Sequence, residues 1–352
     1  MAWLVMLSML VLCLDYFSSF LQPVVLAVIV WYLTYVLKEF ARKIRIKGRK
    51  LPEWLLTSFT FLLIILATFG VVEIVTYNLE LIIDRSPIYI ANSRHLFESI
   101  QTIDGFEKLQ ERIIGKIEEF DFKPLVTGLL NGLSNVAGNI FMIIIYVIFL
   151  LAEEKLFNKK LNIVISQSRH PNYYNKMINE VNDAVKTYVF VKTQMSLLTG
   201  VLSYVILLFF DVDFPVLWAF LIFLMNYIPY VGSLVATLLP SIFAVFQFQS
   251  FSIFIWIFLA IQAVQIVVGN VLEPKVMGKT LNLSPLGVLL ALTFWGIIWG
   301  ILGMIISVPI TSTLVIIASR VPGMRAVAIW LSERGELLHD GEIETVSGEK
   351  ST

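Results

Sequence analysis

An all-α membrane protein with about eight transmembrane helices is what this sequence predicts, and three observations carry the prediction. The chain is 58% hydrophobic and 15% charged, with a mean hydropathy of +0.83, where soluble domains run at about 25% charged. Between Phe214 and Ser319 the charged residues are Glu273, Lys275 and Lys279, all in one short run. Helices of soluble domains need charged faces, so a block this bare is solvated by lipid or by other membrane helices. The same block is rich in helix breakers: N-Y-I-P-Y-V-G-S at 226–233, then Pro240, Pro274, Pro285, Gly296, Gly300, Gly303 and Pro309. Broken helices at membrane depth are tolerated where they are buried in protein or line a cavity, and transporters build binding sites from such breaks.

The N-terminal membrane part is expected over residues 1–77. Residues 3–14 and 20–37 read as two helices split by the polar turn 15–19. The first lacks a basic leader and a small-residue cleavage site, so it is expected to be retained. Lone Cys13 excludes an intramolecular disulfide. Residues 38–50 hold seven basic residues and one acid. A short loop of that charge stays in the cytoplasm and orients the chain. Residues 55–77 then run outward as the third span.

Residues 78–132 change character. Apolar side chains recur at three- and four-residue steps (Leu96, Phe97, Ile100, Ile103, then Leu109, Ile113, Ile114, Ile117) among a slight excess of acids. That is the pattern of an amphipathic helical insert, extracytoplasmic by parity. Its polar face is not strongly basic, which favours a small domain over helices lying flat on the membrane.

A fourth span at 133–152 and a polar cytoplasmic stretch follow, together forming a section over 133–194. The expected transport core is 195–319. It begins with a fifth span, 197–210, ended by D-V-D-F-P, whose two aspartates read as a solvated turn. Segments 214–246 and 285–318 are too long for one span of ~20 residues and are broken near the middle. Each reads as a helical hairpin or a long bent helix, flanking a clear span at 251–272. Residues 320–352 form a charged tail, placing both termini in the cytoplasm.

Enzyme chemistry finds no support in the residues. G-K-T at 278–280 resembles the end of a phosphate-binding loop, but the position of that motif's first glycine holds Glu273. The chain has no H-E-x-x-H or G-x-S-x-G pattern. No cofactor, metal site or nucleic-acid partner is expected. The polar residues of the apolar block are more informative. Gln262, Gln265, Gly269 and Glu273 follow at steps of three, four and four, one face of an α-helix. An ionisable group in a span costs ~2.5–3.5 kcal/mol and faces an interior or an aqueous cavity. Glu273 precedes Pro274, where a helix ends or bends. A structural ion pair with Lys275 or Lys279 and a proton or cation site are both open for it. Asn226 precedes the break at Pro229 and Gly232, where a donor is removed and the chain can turn.

These stretches, together with G-N-V-L-E-P-K-V-M-G-K at 269–279 and the long run 283–310, resemble the autoinducer-2 exporter family, once grouped as an uncharacterised permease family. The resemblance covers essentially the whole chain. It implies a multi-pass protein of the bacterial cytoplasmic membrane, homo-oligomeric, exporting the neutral polyhydroxylated signal autoinducer-2 in quorum sensing. Other members of that family resemble Na⁺(Li⁺)/H⁺ antiporters, so two substrate classes stay open. A polar solute needs amides, hydroxyls and aromatic walls, which Asn226, Tyr227, Gln262, Gln265, Asn270 and Trp295 supply. A cation exchanger needs a carboxylate, and Glu273 is the one in the core block. Pro229 and Pro309 are the expected gating breaks. A third reading, a non-transporting membrane scaffold, has little use for amides and breaks at mid-membrane.

Overall fold

The computed structural model describes residues 2–43, 52–99, 122–278, 282–321 and 323–333, with short pieces at 335, 337–339 and 342–344. Among the described residues the fold is all-α apart from a small antiparallel pair, β1 (Leu337–His339) and β2 (Glu342–Glu344). Six helices among the described residues are long and apolar enough to cross a membrane. The chain forms two compact units: Met1–Thr60, Ile140–Thr193 and Pro274–Thr352, and Phe61–Asn139 with Gln194–Glu273.

The expected turn after the first helix is present, since α1 (Ala2–Tyr16) and α2 (Ser18–Lys43) divide at Phe17. The third span does not stop at Tyr77. It continues as α3 (Glu53–Ser99), a 47-residue helix that enters the segment read as the insert. The apolar steps from Ile100 to Ile117 lie outside the described residues. The polar stretch after the fourth span is helical as well. It forms the end of α4 (Phe122–Ser166) and the start of α5 (Pro171–Phe209). Long helices of this kind carry a polar end beyond the membrane without a change of secondary structure.

The two over-long segments are both helical hairpins. In the second unit named above, α6 (Pro215–Met225) and α7 (Val231–Phe248) are joined by a short turn. At 11 residues α6 is ~16 Å long, about half of a ~30 Å hydrocarbon core. The arms run back along each other, with Trp218 and Phe214 rings 5.2 and 5.8 Å from Phe243. Leu217, Ile222, Ala236 and Ala244 fill the space between, together with Val75, Leu79 and Ile82 of α3. Then α8 (Phe251–Gln265) widens into a π-helix, π1 (Ile266–Leu272), and closes as α9 (Glu273–Met277).

In the first unit, α10 (Pro285–Arg320) begins at Ser284, whose Oγ accepts the Gly287 N–H at 3.0 Å. The helix is interrupted at Trp299 (φ −126°, ψ 15°) and Gly300 (φ 61°, ψ −141°). There the chain reverses, and Leu283 lies beside Val315 and Ala318 at the far end of the other arm. The short helix α11 (Arg325–Leu331) packs on that end through Ala328. At the tip, Ile298, Trp299 and Ile306 bury themselves against Val11, Leu14, Leu21 and Val25 of α1 and α2.

A candidate transport path

A glycine closes each hairpin. A Cβ on Gly232 would lie 1.9 Å from the Met225 carbonyl oxygen, and one on Gly303 would lie 1.9 Å from that of Trp295. Both contacts are with backbone, so neither neighbour can move aside cheaply. These glycines are required by close approach of one arm to the other, and the hairpins exist because nothing larger stands there.

The first hairpin presents polar groups at its turn. Asn226 ends α6 and is 5% exposed. Its Nδ2 donates to Ser196 Oγ on α5 at 3.2 Å, a side-chain bond buried on both partners. Tyr227 is half-buried, with its ring edge-on to Phe223 at 5.7 Å. Tyr230 adopts φ 59°, and the Val231 and Gly232 amides donate to Pro229 and Ile228 carbonyls. Pro229 is half-buried inside this turn. On α5, Ser196, Thr199 and Ser203 are all buried at three- and four-residue steps, so they share a helix face. Among the described residues, Ser203 Oγ has no hydrogen-bond partner. That spacing was available in the sequence; its signal is weak, because serine and threonine also satisfy themselves on the preceding turn.

Gln262 and Gln265 are the more telling pair. Gln265 is 5% exposed, and among the described residues Gln265 Nε2 and Gln262 Oε1 are buried with no partner. Buried amides are nearly always bonded, so two orphaned atoms three residues apart call for an explanation. The widened turn follows immediately. In an α-helix the Pro274 ring would clash with the carbonyl four residues back, that of Asn270. A π-turn moves that carbonyl along the ladder, and such turns gather at functional sites. The structure thereby corrects the four-residue face: α-helical spacing holds for Gln262 and Gln265 but is lost from Ile266 onward. Gly269 and Glu273 drift away from the glutamines because a π-turn takes an extra residue. Asn270 is exposed on π1, and Glu273 is half-buried at its end, its N–H bonded to the Val268 carbonyl.

In the other unit, Trp295 is buried and its Nε1–H donates to Thr311 Oγ1 of the opposite arm at 3.1 Å. Trp299 Nε1–H donates to the Leu14 carbonyl at 3.1 Å. Pro309 is not where the chain breaks. It lies within the second arm, its carbonyl accepting the Thr313 hydroxyl at 2.8 Å. The reversal at Gly300 needs a left-handed φ, which proline cannot adopt.

The sequence reading missed a polar clamp at the base of the first hairpin. Asp213 accepts the Tyr89 hydroxyl at 2.8 Å, with Arg85 Nη1 at 3.6 Å. Gln247 Oε1 accepts the Asp213 N–H, and its Nε2 donates to the Asp211 carbonyl, both at 2.8 Å. Asn92 Nδ2 donates to the Gln247 carbonyl at 3.3 Å. These residues lie on α3, before α6 and at the end of α7, too far apart in sequence for any motif to link them. Among the described residues, no group of three or more His, Cys, Asp or Glu side chains could hold a metal ion.

Known proteins match this sequence along nearly its full length. The AI-2E family transporter profile matches residues 4–323. The chain belongs to the AI-2E transporter family. A provisionally named transport protein of Haemophilus influenzae is 33% identical over 292 residues, covering 81% of this chain and 83% of that one. One of Borreliella burgdorferi is 26% identical across 88% of this chain and 84% of its own. The AI-2 transport protein TqsA of Escherichia coli is 35% identical over 209 residues, covering 59% of this chain and 60% of its own. This AI-2E transporter is therefore a multi-pass protein of the lipid bilayer.

Proposed function

We propose that the chain is a secondary transporter of the bacterial cytoplasmic membrane that exports a small polar solute by alternating access, with autoinducer-2 as that solute. The observation that carries this is the pair of amide atoms on Gln262 and Gln265, buried and unpartnered among the described residues, next to the π-helix. Hydrogen-bonding capacity left open in a lipid-embedded helix suits a ligand rich in hydroxyls, and several kcal/mol oppose leaving it empty without one. Asn226, Tyr227 and Asn270 add further donors and acceptors. The name of TqsA brings autoinducer-2 to this chain, because the shared stretch joins the two at 35% identity. A gate at Pro229, cytoplasmic termini and a homo-oligomeric assembly complete the reading.

The second reading rests on Glu273, half-buried where the π-helix ends. It makes the protein a Na⁺(Li⁺)/H⁺ antiporter with that carboxylate exchanging proton for metal ion. Inside-out vesicles separate the two. The exporter reading expects labelled autoinducer-2 to accumulate inside, Gln265→Leu to abolish accumulation, and Na⁺ or Li⁺ to leave the pH gradient intact. Collapse of the gradient by either cation, lost in Glu273→Gln, would establish the antiporter instead.

A further inference from the structure

The unit that holds the second hairpin also contains a cavity of about 670 Å³ between α2, α4 and α5, in the size range of ligand sites. Its lining changes character along the helices. At one end stand Val24 and Val28 of α2 with Phe149 and Leu150 of α4. Phe149 and, further along, Phe157 are 63% and 61% exposed, so the rim is uncovered on its apolar side. Next come Trp31, Tyr32 and Tyr35, the first two with rings 4.8 Å apart. Glu153 and Glu154 of α4 and Asn179, Asn182 and Lys186 of α5 bring polar groups to the lining, among apolar ones such as Leu161 and Ile178. The two helices agree in direction: α2 runs toward Lys38 and α4 toward Lys159 and Lys160, so both polar ends reach the same membrane face.

We infer that this cavity is a binding site for a phospholipid with an amine-bearing head group, its acyl chains lying on the apolar rim. An exposed apolar rim beside carboxylates, amides and a lysine matches an amphiphile held at the interface, and neither a polar solute nor a bare ion has use for that rim. Carboxylates beside aromatic rings are the chemistry that recognises an ammonium. The Lys186 ammonium lies 4.2 Å from the Tyr35 ring centroid and supplies a cation for the phosphate. Tyr32 Oη donates to Asn182 Oδ1 at 3.4 Å, which leaves the Asn182 amide nitrogen to point donors at the same group. A lipid here would wedge α2 against α5, so its head group would act on the unit that contains the second hairpin. The site is independent of the solute proposed above.

The test is native mass spectrometry of the whole protein, reconstituted with equimolar phosphatidylethanolamine and phosphatidylglycerol and then stripped stepwise with detergent. One phosphatidylethanolamine per chain is expected to survive stripping, at least tenfold over phosphatidylglycerol. Trp31→Ala and the near-isosteric Glu154→Gln should each reduce retention at least tenfold, while Trp256→Ala, outside the cavity, should leave it unchanged. Equal retention of the two lipids would overturn the inference, as would full retention by Glu154→Gln. A photo-crosslinker at Phe157 that joins two copies of the chain, with no lipid retained, would instead make this face a subunit interface.

Discussion

The two hairpins share a closing device and differ in almost everything else. Each brings a glycine so close to its first arm that a Cβ there would collide with a backbone oxygen. The first turns through a short loop after an 11-residue arm and sets a buried amide, Asn226, against a hydroxyl. The second turns at Trp299 and Gly300 and packs its tip into aliphatic side chains. A tip sealed by apolar contacts and the Trp299 bond to the Leu14 carbonyl stays in place, while a polar tip can exchange its partner for a solute. Under the proposed export, contact with solute would fall to the first hairpin and anchorage to the second.

Substituting the closing glycines should have the largest effect. Gly303→Ala and Gly232→Ala both push a methyl into backbone, and each is expected to cost about 3 kcal/mol or more. Detergent thermal melts with size-exclusion profiles would show it, and a normal melt for either would mean the arms are not in contact. Gly300→Ala tests the second turn alone. Its φ of 61° with ψ −141° lies where side-chain-bearing residues are strained, so a loss of roughly 1–3 kcal/mol is expected. Wild-type stability there would remove the sharp reversal.

Gln265→Leu sharpens the contrast in a different direction. Removing a buried unsatisfied amide should raise stability by about 1 kcal/mol while solute export falls at least tenfold. A variant that is both more stable and fully active would strip the first hairpin's neighbourhood of its assigned role. The smallest change expected is for Trp295→Phe, which deletes the bond to Thr311. A loss near 1 kcal/mol with transport retained fits an anchoring role for the second hairpin, whereas unchanged stability and lost transport would move Trp295 to the solute.

Much of this was legible beforehand in particular residues. The run 226–233 announced a break, and α6 does end at Met225. The length of 285–318 announced a second, and the reversal falls at Gly300 rather than at Pro309. Proline marks a missing donor, but a helix absorbs one where a neighbouring arm supports it. The α-spacing of Gln262 and Gln265 survived, and that of Glu273 did not, because a π-turn is set by how the ladder accommodates Pro274. In sequence Asp213 reads as part of a solvated turn, because its partners Arg85 and Tyr89 stand more than a hundred residues away.

By itself, then, the sequence determined the solvent. A chain 58% hydrophobic, with one short charged run in its C-terminal block, can satisfy its backbone in a bilayer only as helices. It also determined where those helices are weak, since glycine and proline act on the local ladder. Only the tertiary structure decided which weak points became reversals and which polar groups stayed unpaired. Both depend on how closely two arms approach, and that distance is set by side chains far apart in the chain.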